Sequence, residues 1–481
     1  MWHTARKAYK HLPVPMQRAL VKIYGRLIRA ERIRPESREL ERFLEESERW
    51  EPGRMREYQE ERLRAIVRHA YETVPHYRET MDRLGLKPGD IRRIDDLQKL
   101  PVLHKRDVRA LGKRLRSKAV PRSALWSAAT SATSGSPLPV YRDRPVSLMN
   151  HACYMRLRRW AGFPFGVPYV TIQGRLIVSD RQKHPPFWRR NPAWNQLLMS
   201  TVHLSDENIP LYLREMRDFG ARAMEAFPSC AFIIARYLES RDEHFPLEAL
   251  TTTGEPLLPT ERDIIEERFQ TRAFDAYSTA ERVAFSSECE EHNGHHLYAE
   301  FGITEIVDEE GRRQAPGSPG LIVGTSLHNM GAPLLRYACG DVGAMADRSC
   351  PCGRTLPMME GLASRVGDVI VTPDGRMLPP IMVSWSIKAV SNVIQWQLVQ
   401  RTPDEVRLSL VKDGPLTDKE RAGILEYFAR RLGADVRVHI EQVDQIPASA
   451  TGKVRHVVSS VPLVWGSPNR WSGRDEHEGD D

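Results

Sequence analysis

From Pro101 to about Glu360 the sequence alternates short apolar runs with longer stretches of helical spacing, and this alternation most narrows what the chain can fold into. Tyr169-Val170-Thr171-Ile172, Arg222 to Phe227 and Leu321-Ile322-Val323 are strand-length runs bounded by Gly and Pro. Strands separated by helical segments predict an α/β body. Upstream, residues 36 to 85 read as helices, with Leu40, Phe43 and Leu44, then Leu63, Ile66, Val67 and Ala70, at three-and-four spacing. Pro75 interrupts the second run, because proline removes a helical donor. The texture changes around Glu360 to Asp368, and beyond it Val406 to Val411 and Asp418 to Leu432 read as strand and helix of a small α+β domain. The expected division is a helical segment over 1–100, the body over 101–363, the small domain over 364–465 and a disordered tail over 466–481.

The chain has 481 residues, of which 41% are hydrophobic and 28% charged, so a folded multi-domain protein is expected. No apolar run approaches the ~18 residues needed to span a bilayer, and no apolar stretch with a cleavage site follows the N-terminus; a cytoplasmic location is the expectation. Six scattered cysteines argue for reduced thiols over a disulfide framework. Much of the net charge of +7 arises in the first 35 residues. That segment reads as a solvated basic helix packed on the body, with a peripheral membrane or partner contact as the sharper alternative. Nucleic-acid binding by this segment is the weaker reading, and a monomer or homodimer is expected.

Thr130-Ser131-Ala132-Thr133-Ser134-Gly135-Ser136-Pro137-Leu138 is the first segment with chemical content: small residues let the backbone turn, and hydroxyls and N–H groups can converge on anionic oxygens. It lacks the Gly-Lys-Ser/Thr of a Walker loop. Downstream follow Thr253-Gly254-Glu255-Pro256, Asp275-Ala276-Tyr277-Ser278-Thr279-Ala280-Glu281, Arg336 to Asp341, Arg365-Val366-Gly367-Asp368 and Ile446 to Arg455 around Lys453. Each segment alone reads as a turn with a surface charge. Their order carries the information.

The ordered set resembles the adenylate-forming superfamily of acyl-CoA ligases, closest to the branch of phenylacetate-CoA ligase and capsular-polysaccharide ligase-like proteins. Leu63 to Arg78 and Leu100 to Lys105 look like that branch's own signature. The resemblance implies a large N-terminal adenylate-forming domain with a small mobile α+β C-terminal domain. It implies that Ser131, Thr133, Ser134, Gly135 and Ser136 lie against ATP phosphates, and that Gly254, Glu255 and Ala276 flank the adenine. Tyr277 would stack on the adenine, with Ser278 and Thr279 near the α-phosphate and Glu281 holding Mg²⁺. Asp341 and Arg365 would reach the ribose, Asp368 would be the hinge, and Lys453 would bridge carboxylate and α-phosphate during adenylation. Ala132, Ser278 and Ala280 depart from the family pattern, where Gly, Gly and Thr are usual.

The implied reaction is activation of a carboxylic acid by ATP as an acyl-adenylate, followed by transfer to a thiol, coenzyme A. AMP transfer onto a cofactor, or a degenerate nucleotide-binding subunit in polysaccharide assembly, are the alternatives. Phe227, Pro228, Ser229 and Tyr237 are candidates for the acyl pocket. Cys350-Pro351-Cys352-Gly353 places two sulfurs in a tight turn, and with Cys289 and His296 would close a structural zinc site. His296 is preferred because it precedes the strand-like Leu297-Tyr298 and matches a histidine of the branch; His292 is its competitor.

Overall fold

The structure is a computed structural model and describes residues 9, 11–129, 139–163, 165–173, 177–179, 182–363, 366–378, 387, 390, 392–447 and 455–463. The Thr130 to Leu138 loop with Ser131, Thr133, Ser134, Gly135 and Ser136, together with Arg365, Lys453 and the tail over 466–481, lies outside the described residues.

The alternation after Pro101 becomes one 12-stranded mixed sheet. Strands Gln196–Met199, Tyr169–Ile172, Ala223–Ala226, Ala249–Thr253 and Ala273–Ser278 lie side by side in parallel. Helices Ile209–Phe219, Pro228–Glu239 and Pro259–Phe269 connect successive members of this set. Such strands are covered on both faces, which is why Tyr169 to Ile172 is buried at every position. Val170, Ile172, Leu197, Met224, Ile234, Ile265 and Phe269 form the core there.

Beyond Ala273–Ser278 the sheet turns antiparallel through Phe285–Ser287, His295–Leu297, Met358–Ala363, Tyr337–Met345, Gly320–Ser326 and Gly302–Val307. Trp188–Asn191 closes the opposite edge, antiparallel to Gln196–Met199. The N-terminal helices Pro35–Ser47, Pro52–Thr73 and Pro75–Arg83 each carry proline in the first turn. Pro75 therefore ends one helix and starts another, since its missing N–H costs nothing at a helix start. Leu63, Ile66, Val67 and Ala70 pack against Ile303, Leu335 and Tyr337 of the body.

The C-terminal part is a separate four-stranded sheet in the order Arg437–Gln442, Glu405–Lys412, Val393–Thr402, Val457–Ser459. Leu398, Leu408 and Leu410 face Ile424, Phe428 and Leu432 of the helix Asp418–Leu432. A capping box closes that helix's start: Glu420 N donates to Thr417 Oγ1 and Thr417 N donates to Glu420 Oε2. One helix on one mixed sheet, with a single antiparallel pair between two parallel ones, is the α+β unit the sequence predicts. Among the described residues no helix is long and apolar enough to cross a membrane.

Candidate functional site

Ligands of open α/β sheets bind beyond the carboxyl ends of the parallel strands, and Gly254, Glu255, Tyr277 and Glu281 lie at or just past two such ends. Strand Ala249–Thr253 ends in Gly254, whose φ of +86° suits glycine. Glu255 then turns back so that its Oε2 accepts from Ser229 N at 3.2 Å, in the first turn of helix Pro228–Glu239. A carboxylate against a helix N-terminus is stabilised by the exposed N–H groups. Ala276 is buried in strand Ala273–Ser278, paired with Thr253 on one side and Ser287 on the other.

Tyr277 donates its hydroxyl to Asp341 Oδ2 at 2.7 Å. Three strands separate their two strands in the sheet, so the antiparallel half curls back over the parallel half. Burial and then the Asp341 charge push the Tyr277 phenol well up from its ordinary value. Ser278 Oγ meets Tyr154 Oη at 3.3 Å. The Thr279 hydroxyl accepts from Val283 N at 3.1 Å and Ala284 N at 3.3 Å, so it shapes the turn and keeps its proton for another acceptor. Glu281 is buried, and its Oε1 accepts from the Tyr337 hydroxyl at 2.7 Å.

Two half-buried arginines accompany Glu281. Arg142, in the strand Pro139–Arg142, donates to the Ala280 carbonyl, and Arg282 donates to Asn150 Oδ1. Burial and then the Arg282 charge hold the Arg142 guanidinium down at about 9. Burial likewise lowers Arg282, against the favourable field of Tyr154 and Glu281. Two guanidinium groups beside one carboxylate leave positive charge where a triphosphate would neutralise it. Sequence reading missed Arg142, Arg282 and Tyr337; nearness of the arginines to motif residues in the chain was the available signal.

Below the strand ends, Asp275 is buried beside Glu288, with Thr252 Oγ1 donating to it at 2.6 Å. Burial followed by the Glu288 charge pushes the Asp275 carboxyl from 3.8 up to about 7. Burial opposes charge on Glu288 too, but hydrogen bonding to His292 and the Arg262 charge outweigh it and hold that carboxyl at about 2.

On the far side of the sheet, Cys289, His296, Cys350 and Cys352 bring their ligand atoms within 4.8 Å of one another. Cys289 Sγ lies 3.6 Å from Cys350 Sγ, and Cys352 Sγ 3.5 Å from His296 Nε2. A zinc tetrahedron with Zn–S of about 2.3 Å and Zn–N of about 2.05 Å has edges of about 3.8 and 3.6 Å. The donor set therefore fits a closed tetrahedral site. His292 is turned to Glu288 at 3.2 Å, and His295 faces Asp275 at 3.5 Å. The hinge candidate Asp368 accepts from Arg455 Nε at 2.9 Å, while Arg455 also donates to Gly367 O at 3.0 Å.

Against known proteins, the CapK C-terminal domain family matches residues 370–460. Protein CapK of Staphylococcus aureus is 24% identical over 466 residues, 94% of this chain and 99% of that protein. Phenylacetate-coenzyme A ligase of Thermus thermophilus is 26% identical over 440 residues, 84% of this chain and 96% of the relative. These similarities lie in the phenylacetate-CoA ligase and CapK branch of the adenylate-forming ligases. The same fold is seen in 2-hydroxyisobutyryl-CoA ligase in the postadenylation state, with a TM-score of 0.68 at 18% identity over 85% of this chain and 90% of that one. In its thioesterification state that ligase scores 0.55 at 19% identity over 85% of this chain and 91% of that one. By these relatives the chain is AMP-forming acyl-CoA ligase-like.

Proposed function

We propose that this protein joins a carboxylic acid to AMP at the expense of ATP and then passes the acyl group to a thiol, coenzyme A. In the first step a carboxylate oxygen bonds to the α-phosphorus and pyrophosphate leaves. In the second the thiol sulfur bonds to the carbonyl carbon, AMP leaves, and the thiol proton is released.

The observation that carries this reading is the Tyr277–Asp341 hydrogen bond of 2.7 Å, which unites two distant motifs at the strand ends. Asp341 offers a two-oxygen acceptor suited to ribose hydroxyls, and Tyr277 a ring for the adenine face. Gly254 lets the backbone pass close to the nucleotide, with Glu255 and Ala276 beside it. Ser131, Thr133, Ser134, Gly135 and Ser136 would cradle phosphates, with Ser278 and the Thr279 proton directed to them. Arg365 would assist at the ribose and Lys453 at the α-phosphate, where charge concentrates as pyrophosphate departs. Glu281 would hold Mg²⁺, which supplies charge neutralisation of the triphosphate. Zinc, held by Cys289, His296, Cys350 and Cys352, would be structural, since the four donors close the tetrahedron.

A second reading, nucleotide binding without turnover, has one observation in its favour. Ala280 carries no hydroxyl where the family pattern has Thr, and the Thr279 oxygen, which would have to substitute, already accepts from Val283 N and Ala284 N. A screen of carboxylates by pyrophosphate release, with and without coenzyme A and with Lys453→Ala as blank, separates the two. Substrate-dependent pyrophosphate release supports the ligase; ATP binding with no release from any acid leaves the binding reading.

A further inference from the structure

The helix Val14–Arg32 is amphipathic, yet it docks on the body by its polar side. Its fully covered residues are Gln17 and Gly25. Gln17 Oε1 accepts from the buried Arg189 Nε at 3.1 Å, and its Nε2 donates to the Leu12 carbonyl at 2.9 Å. Trp194 Nε1 donates to the Gly25 carbonyl at 3.1 Å, and a Cβ on Gly25 would meet Asn191 Oδ1 at 2.0 Å. The approach is thus fixed by groups that tolerate no rotation of the helix about its axis.

That orientation turns Met16, Leu20, Ile23 and Leu27 to solvent, at 52%, 42%, 53% and 62% exposure. Their spacing of four, three and four residues makes one continuous stripe. A helix that merely covers a core points such residues inward. Arg18, Lys22, Arg26 and Arg29, all exposed, lie on the side of the helix between the stripe and the docked face, with Arg26 nearest the stripe. Exposed Phe165 sits beside the helix, with the Arg29 guanidinium 5.4 Å from its ring centre. Residues 1–34 hold nine of the 70 cations and one of the 63 acids, Glu31, so the other 447 residues carry one more acid than base. The positive excess of the whole sequence is therefore concentrated in the segment that contains this helix.

We infer that this face lies on an anionic membrane surface, with Met16, Leu20, Ile23 and Leu27 entering the interfacial layer and the flanking cations meeting lipid phosphates. The cations set the choice of occupant: long basic side chains beside an outward apolar stripe can reach headgroups while their stems stay in the apolar layer. The inference is independent of the chemistry at the nucleotide site.

The test is flotation of the full-length protein with vesicles of phosphatidylcholine alone or mixed with phosphatidylglycerol. Recovery with the anionic vesicles should exceed that with neutral ones by about tenfold and fall severalfold in high salt. Leu20→Asp combined with Leu27→Asp should remove it by about tenfold or more, with the melting temperature and ATP binding unchanged. The triple change Arg18→Gln, Lys22→Gln, Arg26→Gln should weaken it while sparing the stripe. The salt and lipid dependence of the wild type decides the matter even if a variant fails to fold. Equal or absent recovery on both vesicle types overturns the inference. So does a wild-type dimer, by light scattering, that the double substitution splits while anionic vesicles bind neither form; the stripe would then face a second copy.

Discussion

Glu281 shares its surroundings with the half-buried guanidinium groups of Arg142 and Arg282, and its carboxylate, together with Tyr154, favours ionisation of both. Glu281→Gln keeps the volume and the Tyr337 contact but leaves Arg142 and Arg282 uncompensated in a buried site. We expect pyrophosphate release to fall about a hundredfold or more, in line with losses from other charge-stabilising groups. Pyrophosphate release within threefold of wild type would remove Glu281 from the proposed site. Asp275 makes a different prediction. A carboxyl raised from 3.8 to about 7 holds its proton more tightly in the folded state, so stability present at low pH is lost as the pH rises through that window. Asp275→Asn cannot ionise, and should gain stability relative to wild type, on the order of 1–3 kcal/mol, between pH 5 and pH 8. Denaturant midpoints at the two pH values check it; parallel behaviour of both proteins would contradict the shift. Tyr277, Glu281 and Asp341 could be read from the sequence because each lies within an ordered motif. Tyr337 could not, because nothing local signals that its hydroxyl is buried against Glu281.

At the level of elements, the Cys350 to Gly353 turn ties the antiparallel sheet to the N-terminal helices. Thr355 N donates to the Glu48 carbonyl at 3.0 Å, and Arg354 pairs with both Glu48 at 3.4 Å and Glu290 at 2.8 Å. Leu44 and Met55 of those helices share one core with Cys289 and Cys350. If zinc holds the turn, chelation should release one metal per chain and lower the melting temperature, because folding and ligation are linked. Cys350→Ser should reproduce both effects, measured by metal analysis and calorimetry. Purified protein with no zinc and no response to chelator would dismiss the metal. Helix Asp418–Leu432 was readable to its ends because Thr417, Glu420 and Gly433 mark them chemically. The hairpin of Trp188–Asn191 and Gln196–Met199 was not, since its strands are four residues each and take their order from pairing at the sheet edge. The curl that brings Asp341 to Tyr277 is likewise a property of the whole sheet and has no local sequence signal.

The largest scale is the relation of the small C-terminal sheet to the body. The proposed two-step reaction requires this small domain to close on the body for adenylation and to turn for thiol transfer. One contact across this arrangement is ionic: His456 Nε2 stands 3.1 Å from Glu261 Oε1, with Glu261 rooted in helix Pro259–Phe269. Glu261 also accepts from Leu258 N at 3.3 Å, so its helix start holds it in place. Glu255 adds a second negative charge, and the Trp396 ring packs 4.6 Å from the imidazole while the Trp396 carbonyl accepts from it. Burial pushes the imidazole down, but the Glu261 charge and hydrogen bond, with Glu255, outweigh it and hold the group above its ordinary 6.5. A raised imidazole contributes stability that is complete below about 6.5 and is lost as the pH rises through its folded value. The contact should therefore loosen as the pH rises through the raised folded value of the imidazole, where the bridge loses its charge. His456→Gln keeps a hydrogen-bonding side chain without the charge. It should slow adenylation severalfold at pH 6 while leaving thiol transfer from preformed acyl-adenylate unchanged, since only the closed form gains from the bridge. The variant's adenylation rate should also lose the pH dependence that the bridge gives the wild type. If both steps fall together, His456 acts in folding; if the pH profile is retained, another group governs closure.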